Sequence, residues 1–431
     1  MAELLDRLGA SLPRTLVVRR PVARACCLLP ALLFPVACAE RRPAEELGWD
    51  EDAVDSVVVS ERVVLGGSDA SGPSAFAAIT SVALLPSLGR IAVADGTTDQ
   101  LHVFLLDGTH LWTAGGRGFG PGEFRALNRI GAMPDGTLCA WDIAILRMTL
   151  FDTLGSPAST APVSLGEAWE LRPPVVGIAE GCAIVVRDER TDILRSAQPE
   201  GLYQDTVRFG LYASADGAWK WLAELRNAPR WLYRMDRGWG SQDLIFGRRR
   251  LATLAGRELV IVNTDSLAWT RIGLDGAVIA RAALPVGPRA VESADVEIER
   301  ERLADSIAAH YSGRGLARMI LTRGLSEAFS RNATHGAETA PAESTFPAVD
   351  QFTAASNGVL WFRLFRHRQD RAARWLALDL QGRPLGRLSL PATAALVAAS
   401  HNWIVVQDRD AFDAPMLRIL AIDGGLGPPD P

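Results

Sequence analysis

The sequence predicts an all-β fold, a six-bladed β-propeller of four-stranded blades closed by its N-terminal strand. Three observations predict it: an ungapped 47-residue repeat, a succession of short apolar strands separated by glycine turns, and an unmatched first strand facing a last repeat of only three strands.

The repeat is clearest early in the chain. Gly89–Asp95 (GRIAVAD) aligns with Gly136–Asp142 (GTLCAWD), Val103-Phe104 with Leu150-Phe151, and Gly108 with Gly155, every pair 47 positions apart. Asp95 and Asp142 hold equivalent positions, where a short carboxylate suits the closing of a turn by accepting main-chain N–H groups. Weaker copies follow at Gly181–Val186, at Glu258–Val262 through Gly276, and at Asn357–Phe362 through Leu376–Gly382, with Asp188 and Asn263 in the aspartate slot. Ala394–Ala399, Trp403–Gln407 and Leu417–Ala421 supply only three strands, whereas Ser56–Leu65 has no blade of its own. Pairing the first strand into the last blade removes two open sheet edges, so the propeller is expected over 56–425, with 426–431 as a tail.

One segment departs from the strand rhythm. Ser293 is a good N-cap, and Val296, Leu303, Ile307, Leu316 and Ile320 recur at helical spacing, with Gly313-Arg314-Gly315 dividing two helices. A helical insertion over 293–329 is expected between the fifth and sixth blades, followed by a polar linker, Asn332–Thr345. About 37 residues bury too little apolar surface to fold alone, so its stripe is expected to pack on the blades.

The N-terminus reads as an export signal over 1–38. Arg14, Arg19, Arg20 and Arg24 precede the apolar stretch Ala25–Ala37, which ends in small residues before Cys38, the order of a secretory leader. The stretch is shorter than the roughly 20 residues that span a bilayer. Pro35-Val36-Ala37-Cys38 resembles a bacterial lipobox, which makes Cys38 the expected lipidation site and the cell envelope the expected location. Residues 39–55 form an acidic tether. Of the five cysteines, Cys139 and Cys182 remain in the folded part, each in an apolar run, where it reads as a small buried hydrophobe in preference to a disulfide partner.

Composition excludes one class of partner. A formal net charge of −5 provides no general basic field for nucleic acid. Lys220 is the only lysine, and the arginine runs Arg248-Arg249-Arg250 and Arg366–Arg371 read as solvated cationic turns. None of the six histidines shows zinc spacing, and no nucleophile-elbow motif appears. Gly115–Gly122 invites a phosphate-loop reading, but a strand follows it where a phosphate loop opens a helix. Trp141 and Trp361 fall on repeat strands and read as inter-blade core. Trp219, Trp221, Trp231 and Trp239, in the irregular stretch Ala215–Gly240, are the candidate ligand-binding residues.

The string Gly115–Phe124 (GGRGFGPGEF), with Pro134–Leu138 and Leu150–Asp152, resembles the linker and blade of bacterial six-bladed propellers related to NHL repeats. Phe346–Ala348 through Trp361 and Trp375–Gly382 resemble their penultimate blade, and an export leader is common in that group. The expected function is an envelope-tethered, monomeric scaffold that binds a protein, peptide or glycan at one face of the ring and reaches the membrane through its lipid anchor alone. No cofactor or metal is called for by any motif. Related propellers that act as lactonases or amidating lyases hold a metal in the central channel, so a metal-dependent hydrolase or lyase is the alternative the resemblance implies.

Overall fold

The computed structural model describes residues 53–164, 174–189, 199–213, 217–235, 238–312, 323–367 and 369–430. Cys38 and the leader lie outside the described residues, as do Leu316 and Ile320.

The chain folds into antiparallel sheets. After β1 (Val59–Gly66), a first sheet forms from β2 (Ile79–Leu85), β3 (Arg90–Asp95), β4 (Gln100–Leu105) and β5 (His110–Gly115). A second forms from β6 (Leu127–Ala132), β7 (Leu138–Asp142), β8 (Arg147–Phe151) and β9 (Pro157–Pro162). The third takes β10 (Val175–Ala179) and β11 (Ala183–Glu189), passes over β12 (Gly201–Tyr203), and resumes with β13 (Thr206–Ala213) and β14 (Ala218–Arg226). β12 instead joins β15 (Arg230–Arg234) and β16 (Trp239–Asp243) in a three-stranded accessory sheet. The fourth sheet comprises β17 (Arg250–Ala255), β18 (Glu258–Asn263), β19 (Ala268–Gly273) and β20 (Val278–Ala283). Helices α1 (Ser293–Ser312) and α2 (Arg323–Thr339) intervene before the fifth, β21 (Val349–Ala354), β22 (Leu360–Leu364), β23 (Ala372–Leu378) and β24 (Pro384–Pro391). Finally β25 (Ala395–Ala399), β26 (Trp403–Arg409) and β27 (Pro415–Ile422) take β1 as their fourth strand, in register from Val59↔Ile422 to Gly66↔Met416. Among the described residues, the sheets are therefore six of four strands and one of three.

The second strand of each four-stranded sheet is an apolar run because both of its faces are covered. Ile91 and Val93 of β3 pack with Val405, Leu417 and Ile419 of the sixth sheet, whereas Ala92 and Ala94 pack with Leu138 and Ala140 of the second. Cys139 and Trp141 face Ile184 and Val186 of the third sheet, Val185 faces Leu259 and Ile261 of the fourth, and Val260 and Val262 face Leu360 and Phe362 of the fifth. Trp361 and Trp375 then meet Ile404 and Val406 of the sixth. Trp141 and Trp361 are buried core residues, 2% and 0% exposed. Each such large apolar side chain contributes roughly 1.5–3 kcal/mol by leaving water.

The turn carboxylates act as their residue type suggests. Asp95 accepts N–H groups from Ala77, Ala78, Thr97 and Thr98, and Asp142 those of Arg125, Ala126, Ala144 and Ile145. The glycine-rich string folds back on itself: Phe124 N–H donates to Gly116 O at 2.8 Å, and Gly120 N–H to Glu123 Oε2 at 2.8 Å. Gly115 must be glycine, since its φ is +95° and a Cβ there would meet Asp99 O at 2.7 Å.

Five expectations are corrected. Cys139 and Cys182 form a disulfide that ties β7 to the chain entering β11, with Cα atoms 5.6 Å apart. The two runs lie on the facing sides of neighbouring sheets, so burial and pairing coincide. The stretch Ala215–Gly240 is not irregular, for it supplies β14, β15 and the start of β16. The helical insertion lies between the fourth and fifth four-stranded sheets, not the fifth and sixth, because the chain between β11 and β17 completes the third sheet and forms a three-stranded accessory sheet in place of another four-stranded one. The helix α2 also runs ten residues past Phe329 into the segment expected to be a linker. There Ala337 and Ala340 are buried, and Gly336 lies so close to Tyr233 that a Cβ would meet the ring at 2.5 Å. Ser56 departs too, bridging Arg387 of β24 before β1 begins on β27.

Candidate functional site

A cavity of about 380 Å³ lies where the third sheet, the fourth sheet and the accessory sheet meet. Each wall comes from a strand end. β11 brings Arg187 and Glu189, the chain leaving β14 brings Asn227, β15 and β16 bring Arg230 and Asp243, and the approach to β17 brings Arg248, Arg249 and Arg250. Five guanidinium groups thus face two carboxylates.

The floor is held tightly. Arg187 donates from Nη1 to Arg250 O at 2.5 Å and pairs through Nη2 with Glu189 at 2.5 Å. Arg250 donates from Nε to Arg226 O at 2.6 Å and from Nη1 to Asn263 Oδ1. Burial lowers the Arg250 guanidinium from its ordinary value; Asp265 opposes that effect and Arg187 adds to it. Arginine nonetheless stays protonated in proteins. The rim is held loosely. Arg230 lies 3.6 Å from Glu189 and 3.3 Å from Asp243, Arg249 lies 3.4 Å from Asp243, and Arg248 lies 3.4 Å from Asp265 and 3.6 Å from Glu343. Arg248 and Arg249 have side chains 53% and 60% exposed, so solvent reaches them.

The accessory sheet gives the cavity its outer wall, and the helices support that sheet. Strand pairing sets Arg230 opposite Asp243 and Arg234 opposite Trp239, which puts Arg230, Arg234, Trp239 and Asp243 on one face. Trp231 and Tyr233 occupy the other face, against α2: Trp231 Nε1–H donates to Thr339 Oγ1 at 3.0 Å, and Tyr233 meets His335 edge-on at 6.1 Å. The insertion therefore packs on the accessory sheet, and α1 reaches the fifth sheet where Asp295 approaches His367 at 3.7 Å.

The four candidate tryptophans separate. Trp239 shares the cavity's face of the accessory sheet, stacked on Arg234 at 5.1 Å. Trp231 is committed to α2. Trp219 donates to Ser164 O at 2.7 Å and packs on Tyr212, while Trp221 is 42% exposed with Arg208 over its ring at 4.1 Å. Sequence reasoning missed the cavity itself. Its signal was the Arg248-Arg249-Arg250 run, read as a solvated turn. Among the described residues, no group of three or more His, Cys, Asp or Glu side chains is placed to hold a metal ion, and no helix is long and apolar enough to cross a membrane.

No protein-family model matches the chain, and no curated protein matches it. Solved structures do. A DUF4221-family member from Bacteroides vulgatus is 9% identical over 85% of this chain and 98% of its own, with a TM-score of 0.46. A luciferin-regenerating enzyme is 9% identical over 85% and 98%, with a TM-score of 0.40, and the β-propeller domain of Cps50 (Swd1) from Myceliophteria thermophila is 10% identical over 85% and 100%, with a TM-score of 0.35.

Proposed function

We propose that the six four-stranded sheets are the blades of one closed propeller of NHL-repeat type, and that the chain is an envelope-tethered scaffold binding a protein, peptide or glycan at the arginine cavity. In support of the ring, the first strands neighbour one another in the order β2, β6, β10, β17, β21, β25 and back to β2, and a shared core joins the sixth sheet to the first. In support of the location, the Cys139–Cys182 disulfide belongs to oxidising compartments, which agrees with the leader and the lipobox-like Cys38.

The observation that carries the binding reading is the convergence of five arginines from three chain segments on one cavity, in a chain whose net charge is −5. Trp239 extends that surface with an aromatic face, as ligand-binding sites commonly do. The test is an array of acidic, neutral and basic peptides and glycans probed with the folded protein and with an Arg248→Glu/Arg249→Glu variant. Acidic members should be retained by the natural protein and lost by the variant; equal retention by both would overturn the reading.

A further inference from the structure

We propose that the arginine cavity is a receptor for a compact oxyanion carrying two or more negative charges, such as a phosphate or sulfate ester or a pair of neighbouring carboxylates. This rests on the binding reading above and narrows it to one ligand chemistry.

Charge balance comes first. The lining carries five guanidinium groups and two carboxylates, and Asp265 and Glu343 stand behind Arg248, so the cations still outnumber the carboxylates and the case for a multiply charged ligand rests on the donors left open to it. The excess is local, against a chain that is acidic overall.

Geometry separates the arginines into two sets. Arg187 and Arg250 are locked by contacts of 2.5–2.6 Å to main-chain carbonyls and Glu189, and they act as a fixed positive floor. Arg230, Arg248 and Arg249 reach their carboxylates only at 3.3–3.6 Å, longer than the ordinary N–H···O hydrogen bond of about 2.7–3.2 Å. Their forks therefore keep donor capacity for a ligand, and a planar fork of paired N–H groups matches the oxygens of phosphate, sulfate or carboxylate. The carboxylates Glu189 and Asp243 lie between the arginines, Glu189 between Arg187 and Arg230 and Asp243 between Arg230 and Arg249, and keep the cations apart at a set spacing. The volume of about 380 Å³ suits a group of sugar-phosphate size.

Calorimetric titration of the folded protein tests this with five probes at one ionic strength: inorganic phosphate, sulfate, malonate, acetate and chloride. Phosphate and sulfate binding without malonate binding identifies an ester-type ligand, and malonate binding identifies paired carboxylates; either supports the proposal. Equal heats for acetate, chloride and the dianions would overturn it as general charge screening. Arg249→Ala, at an exposed position, should weaken the dianion about tenfold to a hundredfold, as expected for one charge-assisted contact, and Arg249→Lys should restore only part. Unchanged affinity in Arg249→Ala, with the melting temperature also unchanged, would overturn the site. If the dianions fail while array retention persists and still depends on Arg248 and Arg249, the scaffold reading stands and this charge class falls.

Discussion

The second and fourth sheets use the same backbone position in opposite ways. At the end of β7, Asp142 is fully buried and gathers four main-chain N–H groups, which closes the entry to β6 and the turn to β8. At the end of β18, Asn263 stands in that place and accepts from Arg250 instead, while the third sheet's Asp188 pairs with Arg208 at 2.5 Å. A carboxylate saturated by its own backbone leaves nothing for a ligand. Once the slot is handed to arginines, the loops need other support, and here they receive it from the accessory sheet, α2 and one another. The first two sheets are thus built for regularity, whereas the third and fourth have exchanged a self-contained turn for a charged cavity.

The largest expected effect lies at the junction of the two regions. The disulfide closes a loop across a sequence separation of 43, and on the chain-entropy account such a link is worth about 4 kcal/mol. Reduction should lower the urea midpoint accordingly, with amide exchange rising more in β10–β14 than in β2–β5. A uniform rise would show that the regular sheets depend on the link as much as the drifted ones do.

Next comes the slot itself. Asp142→Ala removes the acceptor of four part-buried N–H groups and should cost about 3 kcal/mol, whereas Asn263→Ala removes a single acceptor and should cost about 1 kcal/mol, since Arg250 keeps its bond to Arg226 O. Equal losses in the urea midpoint would break the comparison.

The same division governs what could be read from the sequence. The first two sheets were legible because glycine turns and aspartates must recur at one spacing when their hydrogen bonds are the same. The strands around Val185, Val260, Trp361 and Val405 were legible as apolar runs because both faces are buried. β14 is harder to read because its alternation, Trp219, Trp221, Ala223 and Leu225 against Lys220, Glu224 and Arg226, is broken by the buried Leu222, where the strand carries a register shift. The disulfide had a signal in its separation, 43 against a repeat of 47, which puts both cysteines near the same strand of neighbouring sheets. The cavity had little, since Arg187 and Arg230 meet Arg248–Arg250 only through folding.

The smallest expected effect contrasts how the two regions respond to pH. Arginine as a residue type stays protonated in proteins, so the pH contrast is sought in the first sheet. The first sheet does contain a titrating group. His102 on β4 is 6% exposed, packed against Phe76 and Phe104, and shares Thr113 Oγ1 with His110, each ring nitrogen at 2.9 Å. Burial lowers its pKa below the ordinary 6.5; Asp95 opposes the shift and His110 adds to it. A group whose folded pKa is depressed binds fewer protons folded than unfolded in the window between the two values. Its contribution is therefore present above pH 6.5 and lost as the pH falls through the folded pKa. The urea midpoint should decline gently as the solution is acidified below that value, and the residues losing protection first should be those of the shared core between the first and sixth sheets, where Phe76 and Phe104 lie. His102→Gln retains a partner for Thr113 but cannot titrate, so it should flatten the decline. A slope unchanged in that variant would assign the pH response to another group.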